Sequence, residues 1–182
     1  MRKSLSLIVT LSAILLGSAH SALLEIDPGR SRIQVDAKAT GHAFTGTLKN
    51  FKATIAGNPL SLAPTGVDLI WNFKDLDSDN AKRDAQMLKW LGATNTEGSF
   101  KFTKSWLDAA GKSHAQGELT IHDVSNTIVF PYSVKKDGNW LTIDGQASLD
   151  YENFKLPIIR SMAVMTVDPK LTVRFHVVGK IK

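Results

Sequence analysis

Apolar and polar residues alternate along most of this chain, which is the signature of strands with one buried and one wet face. Leu24 to Asp27 reads as a short opening strand stopped by Pro28. From Ser31 to Ala39, Ile33, Val35 and Ala37 point one way, and Arg32, Gln34, Asp36 and Lys38 the other. Phe44 to Ala56 reads as one long strand. Phe44, Gly46 and Leu48 share one parity and Phe51, Ala53 and Ile55 the opposite, so a bulge is expected near Lys49-Asn50. Val67, Leu69, Trp71 and Phe73 give a further strand a heavily aromatic inner face, and Ser99 to Leu107 adds another. Gly117 to Val124, a polar break at Ser125-Asn126, Thr127 to Lys135 and Trp140 to Tyr151 then form a three-strand meander. Its second turn, Lys136 to Asn139, carries Asp137-Gly138 for a tight hairpin. In the last strand, Lys170 to Lys180, Leu171, Val173, Phe175 and Val177 share one face, opposite Thr172, Arg174, His176 and Val178.

The period changes once. Between Asp75 and Gly92, Ala81, Ala85, Leu88 and Met87, Leu91 recur at helical spacing. Asp77, Ser78 and Asp79 are candidate N-caps and Gly92 is a fitting stop. A helix over about 79–91 is expected, with Lys82, Arg83 and Lys89 on its basic face. Some eight strands with hairpin-length turns and one inserted helix make an all-β domain. An eight-stranded antiparallel barrel is favoured over a sandwich, because closure removes exposed edges. One connection is unusual. Leu156 to Val167 is apolar almost throughout and holds Met162 and Met165. It either plugs one barrel end, lines a pocket mouth, or forms a short buried helix or bulged strand.

Arg2 and Lys3 precede an apolar run, Leu5 to Leu16, followed by Gly17-Ser18-Ala19-His20-Ser21. This is the three-part layout of a secretory leader, with cleavage expected before Ala22, or alternatively after Ala19. Residues 1–21 are read as a signal peptide and 22–182 as one exported domain, periplasmic or secreted. The formal charge of +5 falls to about +3 when Arg2 and Lys3 leave. That mild basic bias allows transient contact with anionic lipid surfaces. No basic run interleaved with aromatics supports a nucleic-acid role. Cysteine is absent, which removes disulfides and thiolate metal sites.

The chemistry-bearing residues argue against an enzyme. There is no Gly-x-Ser-x-Gly elbow. His42, His114, His122 and His176 lack metal-ligand spacing, with His122 and His176 assigned to strands, and no metal is expected. Asp75, Asp77 and Asp79 with Asn80 fail the calcium-loop pattern. What remains is the interior. An eight-stranded barrel either fills with side chains or holds one ligand. The candidate lining is Phe44, Leu48, Leu69, Trp71, Phe73, Leu119, Ile121, Phe130, Tyr132, Leu141, Ile143, Leu171, Val173 and Phe175, with Met162 and Met165 added from the apolar connection. On the residues alone both readings stay open: an apolar channel for a hydrocarbon guest, or a packed barrel acting through its surface, for instance beside a membrane electron-transfer protein.

Four stretches resemble the YceI family. Glu25-Ile26-Asp27-Pro28 with Ser31 is similar to its opening strand, and Gly41-His42-Ala43-Phe44-Thr45-Gly46-Thr47-Leu48 with Phe51 to its second. Asn80-Ala81-Lys82-Arg83-Asp84 with Leu88 resembles its helix motif, and Gly117-Glu118-Leu119-Thr120-Ile121-His122-Asp123-Val124 its most recognisable strand. The resemblance implies a lipocalin-like barrel whose channel holds an isoprenoid chain, as of a quinone or polyprenyl phosphate, with no other cofactor. A lipid head would then meet Lys82 or Arg83 if the helix caps the mouth. The protein is expected as a monomer, or as a homodimer that buries Ile158 to Val167.

Overall fold

The computed structural model describes residues 21–92, 96–161 and 165–182, with only the backbone of Ser161 and Met165. The leader read at 1–21 lies outside this range except for Ser21. Alternation produces β1 (Ala22–Ile26), β2 (Arg32–Ala39), β3 (His42–Leu48), β4 (Phe51–Gly57), β5 (Pro64–Asn72) and β6 (Leu76–Asp77). After the helix α1 (Ala81–Leu91) come β7 (Glu97–Leu107), β8 (Ser113–Ile121), β9 (Val124–Asp137) and β10 (Trp140–Asp150). The short β11 (Arg160–Ser161) and β12 (Met165–Thr166) precede β13 (Lys170–Ile181). All pairings are antiparallel, and β13 closes on both β1 and β2. Since β2 prolongs β1, β4 prolongs β3 and β6 prolongs β5, the result is an eight-stranded closed barrel.

The first two long strands are each broken once, and polar groups repair each break. After β1, Asp27 Oδ1 accepts from the backbone N–H of Gly29 and Arg30. Ser31 Oγ then accepts from the N–H of Val178, restoring the ladder to β13. Between β3 and β4, the N–H of Lys49 donates to the carbonyl of Asp75 at 2.9 Å, and Asn50 Nδ2 donates to Asp75 Oδ1 at 2.9 Å. The parity change expected at Lys49-Asn50 occurs there, so Phe44 and Leu48 face inward together with Phe51 and Ile55.

Three local expectations are corrected. The first meander turn is His122-Asp123, not Ser125-Asn126, and β8 starts at Ser113. Both turn residues have positive φ, +51° and +59°, and Ile121 pairs with Val124. Two consecutive left-handed residues make the primed turn that matches strand twist, and His and Asp tolerate it better than most. Ser125 and Asn126 are strand residues, paired with Thr120 and Leu119, and His122 belongs to a turn. The N-cap of α1 is Asn80, whose side chain accepts from the N–H of Arg83; Gly92 ends the helix at φ +86°. Val178 points outward yet is buried, because the 27–31 segment folds over it through Ser31.

One end of the barrel is closed by α1 and by the segment after β10. Leu91, Phe100, Leu119, Tyr151, Phe154 and Leu156 form a packed cluster there, with Met87, Trp90 and Ile159 against it. The apolar connection therefore contributes to the closure at one end. The Tyr151 hydroxyl donates to the carbonyl of Val167 at 2.8 Å and accepts from the N–H of Ile159 at 3.2 Å. Burial pushes its phenol above the usual range, so it stays a neutral donor. The indole N–H of Trp90 donates to the carbonyl of Pro157 at 2.8 Å, tying α1 to the same segment. This is called the helix end below, and the opposite one the far end.

Barrel closure between β13, β2 and β3 includes one bidentate ion pair. Arg174 donates from Nε to Asp36 Oδ2 at 2.5 Å and from Nη2 to Oδ1 at 2.8 Å, and Thr45 adds a hydroxyl bond at 2.6 Å. The Arg174 bond holds the Asp36 carboxyl below its ordinary range. A depressed carboxyl contributes stability above its unfolded pKa of about 3.9 and loses it as pH falls through the folded value. Both partners are half-exposed, so solvent screening keeps the contribution below about 1 kcal/mol. Asp36→Asn should therefore lower the melting temperature slightly at pH 7, and the difference from wild type should vanish on acidification below pH ~4. A difference independent of pH would show that the pair does not contribute in this way.

Candidate functional site

Inner-facing side chains would fill a small barrel if all of them projected toward its axis. Here they do not. Inner-facing glycines stand beside several of the largest side chains, which lie back against the wall. Gly98 pairs directly with Trp71, and Gly145 with Phe175. A Cβ added at Gly98 would sit inside the Trp71 indole, one at Gly145 inside the Phe175 ring, and one at Gly117 inside the Phe100 ring. With no Cβ, each glycine lets a ring lie flat over the backbone of its neighbour.

The space left is a continuous cavity of about 610 Å³, within the range of about 300–1,000 Å³ usual for ligand sites. Midway along it, Phe130 stands between Phe100 and Phe175, with ring centres 5.7 and 5.5 Å away. Nearer the helix end, Trp71 and Phe73 meet edge to face at 5.8 Å. Phe44, Phe73, Phe130 and Phe175 keep solvent-accessible surface although they point into the barrel. That combination describes a hollow interior rather than a packed one.

The structure places Phe44, Leu48, Leu69, Trp71, Phe73, Leu119, Ile121, Phe130, Tyr132, Leu141, Ile143, Leu171, Val173 and Phe175 on the cavity wall. Phe73 reaches it from a 3-10 turn, Phe73–Asp75, rather than from a strand. Met162 and the Met165 side chain lie outside the described residues. The wall also takes in Val35, Phe51, Phe102, Ile128, Met87 and Trp90. The strand members were visible as alternation. The inward face of α1 had no signal beyond its period, which does not say which side meets the barrel.

The two ends of the cavity differ chemically. At the helix end, His42, Ser78, Asn80, Lys82, Arg83 and Asp84 contribute to the lining. The Arg83 guanidinium is half-buried and stacks 4.2 Å from the centre of the Phe44 ring. Its Nε donates to Ser78 Oγ at 2.8 Å and its Nη2 to the Ser78 carbonyl at 2.5 Å. The Asp84 carboxylate is directed elsewhere, accepting from the hydroxyl and the N–H of the same buried Ser78. Arg83 is thus fixed in orientation by neutral oxygens on the wall of an apolar cavity. Lys82 is exposed at the rim. At the far end the lining is Leu23, Pro59, Leu62 and Ile181, with Asn58 as a polar member. The loop 58–63 leans over this end, and Lys136 on the opposite side of the barrel donates to the carbonyl of Pro59 at 3.4 Å.

The histidines are dispersed. His42 sits 6.1 Å from Phe44, His114 stacks on Trp106 and bonds Asp108, His122 forms a turn, and His176 bonds Asp144 at 2.7 Å. Among the described residues no group of three or more His, Cys, Asp and Glu side chains could hold a metal ion. Asp75 and Asp77 serve the Lys49-Asn50 break and the Asp79 turn.

A model of the YceI-like domain matches residues 24–179. The chain is similar to a UPF0312 protein of Vibrio campbellii, 25% identical over 162 aligned positions that cover 82% of this chain and 86% of that protein. A UPF0312 protein of Vibrio parahaemolyticus is 23% identical over 181 positions, covering 92% and 96%. Among solved structures, BcnA of Burkholderia cenocepacia superposes with a TM-score of 0.75 at 21% identity, covering 86% of this chain and all, 100%, of that one. A polyisoprenoid binding domain from Saccharophagus degradans gives 0.65 at 11% identity, covering 90% and 100%. These likenesses show the fold.

The glycine-backed rings yield a direct test of what keeps the bore open. Gly98→Ala should drive the Trp71 ring into the cavity, costing about 1–3 kcal/mol in stability and reducing uptake of an apolar fluorescent probe. Trimming the ring in the double variant Gly98→Ala/Trp71→Leu should restore uptake. Titrations and melting curves that do not change in the single variant would refute this account of the hollow interior.

Proposed function

The chain belongs to the YceI-like family, and from that premise we propose that it is an exported, non-enzymatic binding protein that holds the isoprenoid chain of an amphiphilic lipid inside its barrel. The observation that carries this reading is the continuous apolar cavity of about 610 Å³. A hydrocarbon chain that leaves water for such a space gains up to about 0.8 kcal/mol per methylene-sized group, less the cost of ordering the chain. Tight binding then needs no reactive group, and the wall offers little beyond apolar contact over most of its length. The description of the Saccharophagus degradans neighbour as a polyisoprenoid binding domain supports the ligand class. The leader pattern at residues 1–21 supports export to a periplasm or the medium.

The head of the guest sits at the helix end in this proposal. Arg83 offers a guanidinium whose orientation is already set, and its stacking on Phe44 places a flat cation beside the cavity. A phosphate oxygen or a quinone carbonyl accepts from the remaining guanidinium N–H groups. Lys82, exposed at the rim, adds charge without fixed geometry.

Native mass spectrometry of gently purified protein should show an adduct whose mass matches a polyprenyl lipid or an isoprenoid quinone. Arg83→Ala should weaken binding of a polyprenyl phosphate by about tenfold, the value of one charge-assisted contact, and leave binding of the matching uncharged prenol nearly unchanged. A clean apo mass, together with failure to take up either probe, would sink the proposal. Equal losses for both probes would remove Arg83 from the head site. Cell fractionation and an N-terminal residue of Ala22 in the purified protein test export.

A further inference from the structure

Large apolar side chains exposed to water are unevenly distributed on this barrel. Leu23, Leu60, Trp106, Leu107 and Trp140 all lie at or beside the far end; among the described residues only Ile70 and Val129, on the side wall, are comparably exposed elsewhere. Leu60 is 92% exposed and Leu107 68%. They come from adjacent parts of the sheet, since Leu60 lies in the loop that leads into β5 and Leu107 ends β7, and those two strands pair.

The loop that carries Leu60 is not loosely held. Asn58 Oδ1 accepts from the N–H of Leu60 at 2.8 Å and of Ser61 at 3.0 Å. The N–H of Asn58 donates to the carbonyl of Ala63 at 2.9 Å, and that of Leu62 to the carbonyl of Asn58 at 2.9 Å. Leu62 adopts φ +59°, a conformation unfavourable for a branched side chain. The fold thus turns Leu62 toward the cavity and holds Leu60 out in water. At the same end stand the two tryptophans, each with a cation on its ring: Arg30 lies 4.8 Å from the centre of Trp140, and Lys104 lies 5.7 Å from that of Trp106. Lys112, Lys135, Lys136 and Lys180 are exposed at the same end. Of the acids there, Glu25 is met by Lys182; Asp108, bonded to the ring of His114, Asp27 beside Arg30, and Asp137 are the other negative charges, fewer than the cations.

Apolar tips, indole rings and cations gathered at one end match the hydrocarbon, interface and anionic head groups of a bilayer. We propose that the far end of the barrel is a docking face for an anionic lipid bilayer, with Leu60 and Leu107 entering the interface. The occupant is a lipid surface rather than a protein, because the outermost groups are single leucines, one on the 58–63 loop and one at the end of β7, and cations outnumber acids around them. The docking stands on surface residues alone; its use for lipid exchange rests on the carrier reading above. For that use, the lining between bilayer and cavity is Leu23, Pro59, Leu62 and Ile181, an apolar path for a hydrocarbon chain beside the Lys136 ammonium that reaches the Pro59 carbonyl.

The test is co-sedimentation of the purified protein, expressed as the full chain and weighed by mass spectrometry first, so that anything retained from residues 1–21 is common to all variants. Vesicles of phosphatidylglycerol mixed with phosphatidylethanolamine should carry the protein down, and vesicles of phosphatidylcholine should carry much less. Binding should weaken with added salt as the charges are screened. Leu60→Glu and Leu107→Glu should each reduce binding by about tenfold, and Ile70→Glu, an equal change on the side wall, should leave it at the wild-type value. Absence of binding to the anionic vesicles, or Leu60→Glu and Leu107→Glu behaving like Ile70→Glu, would overturn the proposal. Native mass spectrometry of the same preparation separates the two readings, because a protein that docks yet carries no lipid would end the carrier and leave the docking face standing.

Discussion

The contact of a flat ring with a bare backbone underlies the rest of this molecule. In a barrel of eight strands the interior is narrow enough that ordinary inward side chains meet across the axis. Here Trp71, Phe100 and Phe175 lie over Gly98, Gly117 and Gly145 instead, so their area is buried against the wall and the axis stays free. Glycine inside a strand weakens it locally. In this barrel the ring that covers each glycine restores the lost contact, and the same pair curves the sheet and hollows it. Bulk on the wall and space in the middle therefore come from one arrangement.

A hollow barrel needs its ends managed, and the two ends use opposite chemistry. The helix end is sealed by packing, with Leu91, Phe154 and Leu156 buried and Tyr151 bridging the backbone of the covering segment. Polar groups there are placed by other polar groups, as Ser78 does for both Arg83 and Asp84. At the far end a short loop leans across an apolar lining, and exposed apolar side chains stand outside it among cations. An amphiphile matches that polarity along the axis in a way that a uniformly apolar solute does not.

Much of the fold could be read in the sequence because a period of two is hard to mistake over long strands, as in β10 and β13. The interruption at Lys49-Asn50 was legible too, since a parity change has few other causes. The misplaced turn at His122-Asp123 shows the limit. Neither residue is glycine, and the left-handed backbone they adopt is set by the register between β8 and β9, which no local pattern encodes. Asn80 won the N-cap over three equally suitable neighbours for a similar reason: Ser78 was already taken by Arg83 and Asp84. For the candidate site, alternation marked which residues face inward. It could not say whether inward meant packed or empty, because that depends on which residue lies across from which. Gly98 and Trp71 are distant in sequence, and only pairing shows that one makes room for the other.

The ladder that shuts the barrel joins opposite ends of the sequence. β1 is held by three residue pairs to β13 and three to β4, and its partners on β13 are Gly179, Lys180 and Ile181. Contacts between such remote residues form late, because they require the longest loop in the chain to be closed first. Until β13 has been synthesised and has docked, β10, β1 and β2 lack that neighbour and present open edges of the kind that recruit other chains. The interior is likewise not enclosed before that moment. A guest can be enclosed only by a finished chain, so capture by the barrel follows folding and cannot guide its early steps.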